Sequence, residues 1–152
     1  MTRRQIAHTL TGFCLLSATA VFLLAQGPGD QQEKAPSKDK KGASPHTKIW
    51  REIDGKTISV VYGRPYKKGR TIFGETEPFN KVWRFGANEC TLFTATGDVM
   101  LGSVHVPKGA YCLFAQFNEK NEWTLIVSKN TTQWGAFTYK QSDDLGRTPM
   151  KA

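Results

Sequence analysis

Apolar and polar residues alternate along most of the chain with the period of two that marks β-strands, and no stretch holds a helical period for long. Ile49 to Ile53 and Lys56 to Tyr62 flank Asp54-Gly55, a hairpin signal, because this pair adopts the left-handed angles of a tight turn without strain. In the second run Ile58, Val60 and Tyr62 fall on one face, and Ser59 and Val61 on the other. Glu89 to Thr96, Val99 to Leu101, Val104 to Val106, Ala110 to Phe117 and Glu122 to Ser128 read as further strands, and Trp134 to Tyr139 as a last one. They are punctuated by Gly97-Asp98, Gly102-Ser103, Pro107-Lys108-Gly109 and Asn118 to Asn121. Short strands at regular spacing predict an all-β domain, an antiparallel β-sandwich or small barrel. Gly63 to Lys81 breaks the pattern. At nineteen residues it exceeds an ordinary connection and is expected to be functional or a covering flap.

The pattern differs at the N-terminus. Arg3-Arg4 precedes an uncharged apolar run, Phe13 to Ala25, and residues 1–25 read as a signal peptide with cleavage after Ala25. An uncleaved N-terminal membrane anchor is the alternative, because Leu23 is larger than a cleavage site prefers. Arg3-Arg4 fits either an ordinary basic leader or a twin-arginine address, and the ordinary leader is preferred. Residues 26–47 are rich in Lys, Gly, Pro, Ser and Gln, and lack any aromatic residue. Such a segment buries too little apolar area to offset its ordering entropy, so it is expected to be a disordered linker. Residues 48–152 then form one domain.

The formal charge of +8 adds little. Arg3-Arg4 and the Lys surplus of Gln26–Lys48 account for half of it, and the remaining +4 suits a soluble domain rather than a nucleic-acid binder. The expected compartment is periplasmic or secreted, with membrane contact only through an uncleaved leader. There Cys90 and Cys112 either form a disulfide or sit as two buried thiols on neighbouring strands.

Two clusters carry candidate chemistry. Arg64-Pro65-Tyr66-Lys67-Lys68-Gly69-Arg70 is the densest basic run, with Arg64, Lys68 or Arg70 placed to hold an anionic group, or simply a solvated loop. Trp83-Arg84-Phe85-Gly86-Ala87-Asn88-Glu89 puts Arg84, Asn88 and Glu89 beside Trp83, which would orient a polar ligand over a ring or lock a β-corner. His8 and His46 lie in the leader and linker, and His105 sits mid-strand. With no metal-binding spacing and no nucleophile elbow, neither a metal nor a cofactor is expected. A carboxylate pair drawn from Glu75, Glu77 and Glu89 is the weaker enzymatic option.

The ordered series Tyr62-Gly63-Arg64-Pro65, Lys68 to Gly74, Lys81 to Glu89, Pro107 to Tyr111, Glu122-Trp123-Thr124 and Trp134-Gly135 resembles the bacterial DUF2911 domain over about residues 48 to 147. The resemblance implies a secreted or periplasmic β-rich domain and supplies no reaction. Members often carry Ala where Cys90 stands, and usually continue beyond Asp143 to Arg147 into further strands, so the expectation is either a fragment that lacks C-terminal strands or a sandwich with one edge left unpaired. The expected function is a non-enzymatic binding or structural envelope module, using Arg64, Lys68, Arg70, Trp83, Arg84, Asn88 and Glu89 toward a small polar or anionic ligand or an envelope protein. The alternative is a hydrolase-like enzyme using Glu89 with Arg84 or Arg70.

Overall fold

A computed structural model describes residues 31–33, by backbone, and 44–151. The signal peptide expected over residues 1–25 lies outside the described residues, and among those described no helix is long and apolar enough to cross a membrane. The strands are β1 (Gln31–Glu33), β2 (His46–Ile53), β3 (Lys56–Gly63), β4 (Val82–Trp83), β5 (Thr91–Ala95), β6 (Val99–Leu101), β7 (Val104–Val106), β8 (Gly109–Phe117), β9 (Trp123–Ser128) and β10 (Asp144–Met150). One 3₁₀ turn, Gln141–Asp143, precedes β10.

The all-β, antiparallel expectation holds. Seven strands run in the order β1-β2-β3-β5-β8-β9-β10, β4 extends the sheet beside β8, and the sheet is open rather than closed into a barrel. The β6–β7 hairpin is a separate small sheet. Asp54 and Gly55, at φ 50° and 70°, make the β2–β3 turn as the Asp-Gly pair predicts.

Strand β8 explains the layering. Tyr111, Leu113, Ala115 and Phe117 alternate with Cys112 and Phe114, and all six are buried, so both faces of the sheet are covered at its centre. On one face Phe93, Leu113 and Val127 meet Val104 and Val106 of the hairpin. At the far end of that face Phe73 of the long loop sits edge-on to Trp83, Phe117 and Trp123, at centroid distances of 5.8, 5.0 and 5.1 Å. The loop is therefore a covering flap there. On the other face Phe114 and Ile126 pack with Cys90 and Cys112, under Ala136 and Tyr139. Full burial of Phe114, Ile126, Val106 and Val127 stabilises the fold by roughly 1.5–3 kcal/mol per side chain.

Three expectations need correction. Trp134 to Tyr139 is not a strand. Gly135 turns it at φ 65°, Tyr139 N–H donates to the Ala136 carbonyl at 3.3 Å, and Trp134 and Phe137 stay exposed. A strand missing from the sequence reading, β10, pairs with β9 instead. Gly146 and Pro149 hid it, but both are tolerated at a sheet edge, where one side of the ladder needs no partner. Within the expected linker, Gln31–Glu33 pair with Lys48–Trp50 as β1, and β2 already starts at His46.

Candidate functional site

The end of β3, the long loop and the turn after β4 enclose a cleft of about 560 Å³. This is within the range of small-molecule sites. Its position depends on one close backbone approach. Ala87 N–H donates to the Gly63 carbonyl at 3.2 Å, and a Cβ on Gly63 would run into the Ala87 carbonyl. Only glycine lets the β4 turn lie this close to the end of β3.

That turn is unusual backbone. Phe85 and Asn88 adopt left-handed angles, φ 56° and 67°. Asn tolerates this conformation, whereas a bulky ring does not, and such residues cost of order 1–3 kcal/mol. Neighbours hold Phe85 there: Thr91 Oγ1 donates to its carbonyl at 2.9 Å, and its ring meets Trp83 edge-on at 5.5 Å. Immediately after the turn, the Cys90–Cys112 disulfide ties it to β8, with Cα atoms 5.7 Å apart. Of the two open readings of these cysteines, the structure has the bonded one.

The cations reach the cleft by different routes. Arg84 Nη1 donates to the Asn88 carbonyl at 3.4 Å, and its guanidinium lies 5.7 Å from the Phe137 ring centre, a cation–π contact. Arg70 folds back on its own loop, with Nε donating to the Lys67 carbonyl at 3.1 Å and Nη2 to the Tyr66 carbonyl at 2.9 Å. Arg64 is fixed by its backbone, whose N–H donates to the Pro45 carbonyl at 2.8 Å, while its side chain is exposed at the rim.

Of the candidate residues, Arg64, Arg70, Trp83, Arg84 and Asn88 line the cleft. Lys68 and Glu89 do not. Lys68 sits at φ 49° in the loop's own turn beside Gly69. Glu89 is 56% exposed and pairs at 2.8 Å with His46 Nε2 rather than with an arginine.

The carboxylate in the cleft is Glu77. Burial raises its pKa above the usual carboxylate range, against the lowering pull of the Arg84 charge, a hydrogen bond with Trp83 and the Arg70 charge. Tyr62 and Tyr66 add aromatic wall. The sequence named Glu77 only as one carboxylate in a long loop. What positions it is a fold-back within that loop: Glu77 N–H donates to the Ile72 carbonyl at 2.8 Å, and Gly74 N–H to the Glu77 carbonyl at 2.9 Å. No spacing rule announces that.

His105 is remote from the cleft and lies 3.3 Å from Asp98 across an exposed pair. Among the described residues no group of three or more His, Cys, Asp or Glu side chains is placed to hold a metal ion.

The chain belongs to the DUF2911 family, described as a protein of unknown function, whose family model matches residues 44–152. No curated protein and no solved structure matches it.

Proposed function

We propose that this domain is a non-enzymatic binding module of the cell envelope, or secreted from it, that takes a small organic anion in the Arg64–Arg84 cleft. One observation carries the reading. Arg64 and Arg70 of the long loop and Arg84 and Asn88 of the β4 turn line a single aromatic-walled cleft that also takes in one carboxylate, Glu77. Arginine forks suit carboxylate and phosphate oxygens, and partial removal from water strengthens each contact. Phe85 is held in a strained conformation to place its neighbours, which also fits a site better than a plain corner.

A catalytic reading would pass from Glu89 to Glu77, the carboxyl that lines the cleft with its pKa raised by burial.

The test is a thermal-shift titration of the full chain with phosphate, acetate and benzoate. A bound anion raises the melting temperature as its concentration passes its dissociation constant. The expected result is a shift with at least one of them that Arg84→Ala abolishes and Arg84→Lys only partly restores. No shift with any of the three, or a shift unchanged in Arg84→Ala, would sink the reading.

A further inference from the structure

Between β9 and β10 the chain makes a closed excursion. Lys129 N–H donates to the Asp143 carbonyl at 2.8 Å, and Asp143 N–H donates to the Lys140 carbonyl at 3.0 Å, so both ends of the loop meet at one residue. Compact surface loops of this kind are packed by their own side chains. Here Gln133 is buried, Ala136 packs against the core of Phe114 and Ile126, and Tyr139 is bonded to Asp144. The loop is thus anchored on both sides of its tip. The tip itself faces the other way: Trp134 is 58% exposed and Phe137 82%. The loop holds these two rings out in solvent while its other side is fixed to the fold.

The rings stand among cations. Lys129 and Lys140 flank the tip and are exposed, and no acidic residue lies between them in the chain. The Arg84 guanidinium that meets the Phe137 ring also lies against Gly135, where an added Cβ would come within 3.1 Å of Nη1. Because Arg84 lines the cleft, the loop borders the rim that carries exposed Arg64 and Lys67. The acids at its margins are engaged, Glu89 with His46 and Asp143 with Asn130 Nδ2 at 3.1 Å.

Two rings at these exposures offer roughly 300 Å² of surface, well short of the about 800 Å² per partner that a stable protein interface buries. The amides of the loop are turned inward, Gln133 by burial and Asn130 by its bond to Asp143, so they do not stand beside the rings to meet sugar hydroxyls. A lipid surface needs neither a wide matched area nor amides. Aromatic rings settle at the headgroup boundary, and neighbouring cations are drawn to anionic lipid. We infer that the tip of this loop docks the domain on an anionic membrane surface, with Trp134 and Phe137 entering the boundary and Lys129, Lys140 and Arg84 meeting lipid phosphates. The folded domain makes this contact itself, apart from any leader and whatever the cleft binds.

The test is tryptophan quenching of the full chain by vesicles of acyl-brominated phosphatidylcholine, alone or mixed with an equal amount of brominated phosphatidylglycerol. Bromine quenches only rings that reach the acyl boundary. The four tryptophans, Trp50, Trp83, Trp123 and Trp134, all lie beyond residues 1–25, and Trp134 alone is exposed, so the signal reports the loop and is blind to the leader. Quenching is expected on the phosphatidylglycerol vesicles, at about threefold less lipid than on phosphatidylcholine alone, and to weaken as salt screens the cations. Trp134→Phe, which removes the reporter and keeps a ring, should abolish it. Phe137→Ser, which removes the more exposed ring, should require about tenfold more lipid. Both positions are exposed, so neither variant disturbs the core. Quenching that is absent, equal on the two vesicles, or unmoved by either variant overturns the inference. So does emission that responds to a soluble anionic polysaccharide and not to vesicles.

Discussion

Two residues set the terms of the site, one through shape and one through charge. Gly63 lies against the Ala87 carbonyl, and any side chain there must push the β4 turn away. Gly63→Ala is expected to cost about 1–3 kcal/mol in urea unfolding, as overpacking does, and to weaken anion binding more than a remote change of equal cost. Glu77 acts through its proton. Its pKa is raised in the folded chain by burial, so the native state binds that proton more tightly than the unfolded state. Its contribution is complete below the usual carboxylate pKa and is lost as pH rises through the raised value. Melting temperature is therefore expected to fall over that window, and Glu77→Gln to flatten the fall. Binding of an anion should decline across the same window in the native protein and not in the variant, because the ionised carboxylate repels the ligand.

At the scale of elements, the segment between β9 and β10 carries its own fastening. Tyr139 Oη donates to the Asp144 carboxylate at 2.8 Å, Arg147 Nη2 donates to Tyr139 Oη at 2.6 Å, and Arg147 Nε donates to Asp144 at 2.8 Å. Burial, then the bond and charge of Asp144, push the Tyr139 hydroxyl up to about 12. The native state again keeps the proton more tightly. This contribution is full below the ordinary tyrosine value of about 10 and is lost as pH climbs through the folded value. Tyr139→Phe leaves Arg147 and Asp144 short of a partner and is expected to cost about 1–2 kcal/mol. It should also remove part of the alkaline loss of stability, read as the urea midpoint against pH. The elements themselves were unequally legible. Strands β2, β3, β8 and β9 stand out because alternation and turn residues agree there. Trp134 to Tyr139 misleads because its aromatic residues serve a turn, leaving Phe137 in solvent against Arg84. Strand β10 hides because an edge strand can be built from Gly, Thr and Pro. The candidate site was legible as two basic and aromatic strings, and their meeting was not, since it depends on Gly63 receiving Ala87 across the chain. Glu89 drew notice by adjacency to the turn, whereas Glu77 arrives through the loop's internal fold-back.

For the whole molecule the question is what couples the hairpin layer to the main sheet, since β6–β7 shares no ladder with it. The coupling runs through β10. Leu145 packs into the main core, a Cβ on Gly146 would meet the Val104 side chain, and one on Gly102 would collide with Thr148. Thr148, itself buried, accepts at Oγ1 from Ser103 N–H at 3.1 Å. The strand at the sheet's edge is thus the wall against which the second layer rests, and removing it exposes Val104, Val106 and Val127 together. A chain stopped after Asp143 is expected to lose its cooperative thermal transition, measured by far-ultraviolet circular dichroism. Thr148→Ala, which removes only the hydroxyl and methyl groups that meet the hairpin, should keep that transition and shift it by about 1–2 kcal/mol. If the shortened chain still melts cooperatively near the temperature of the full one, the hairpin is held by the core side chains alone, and β10 does not couple the layers.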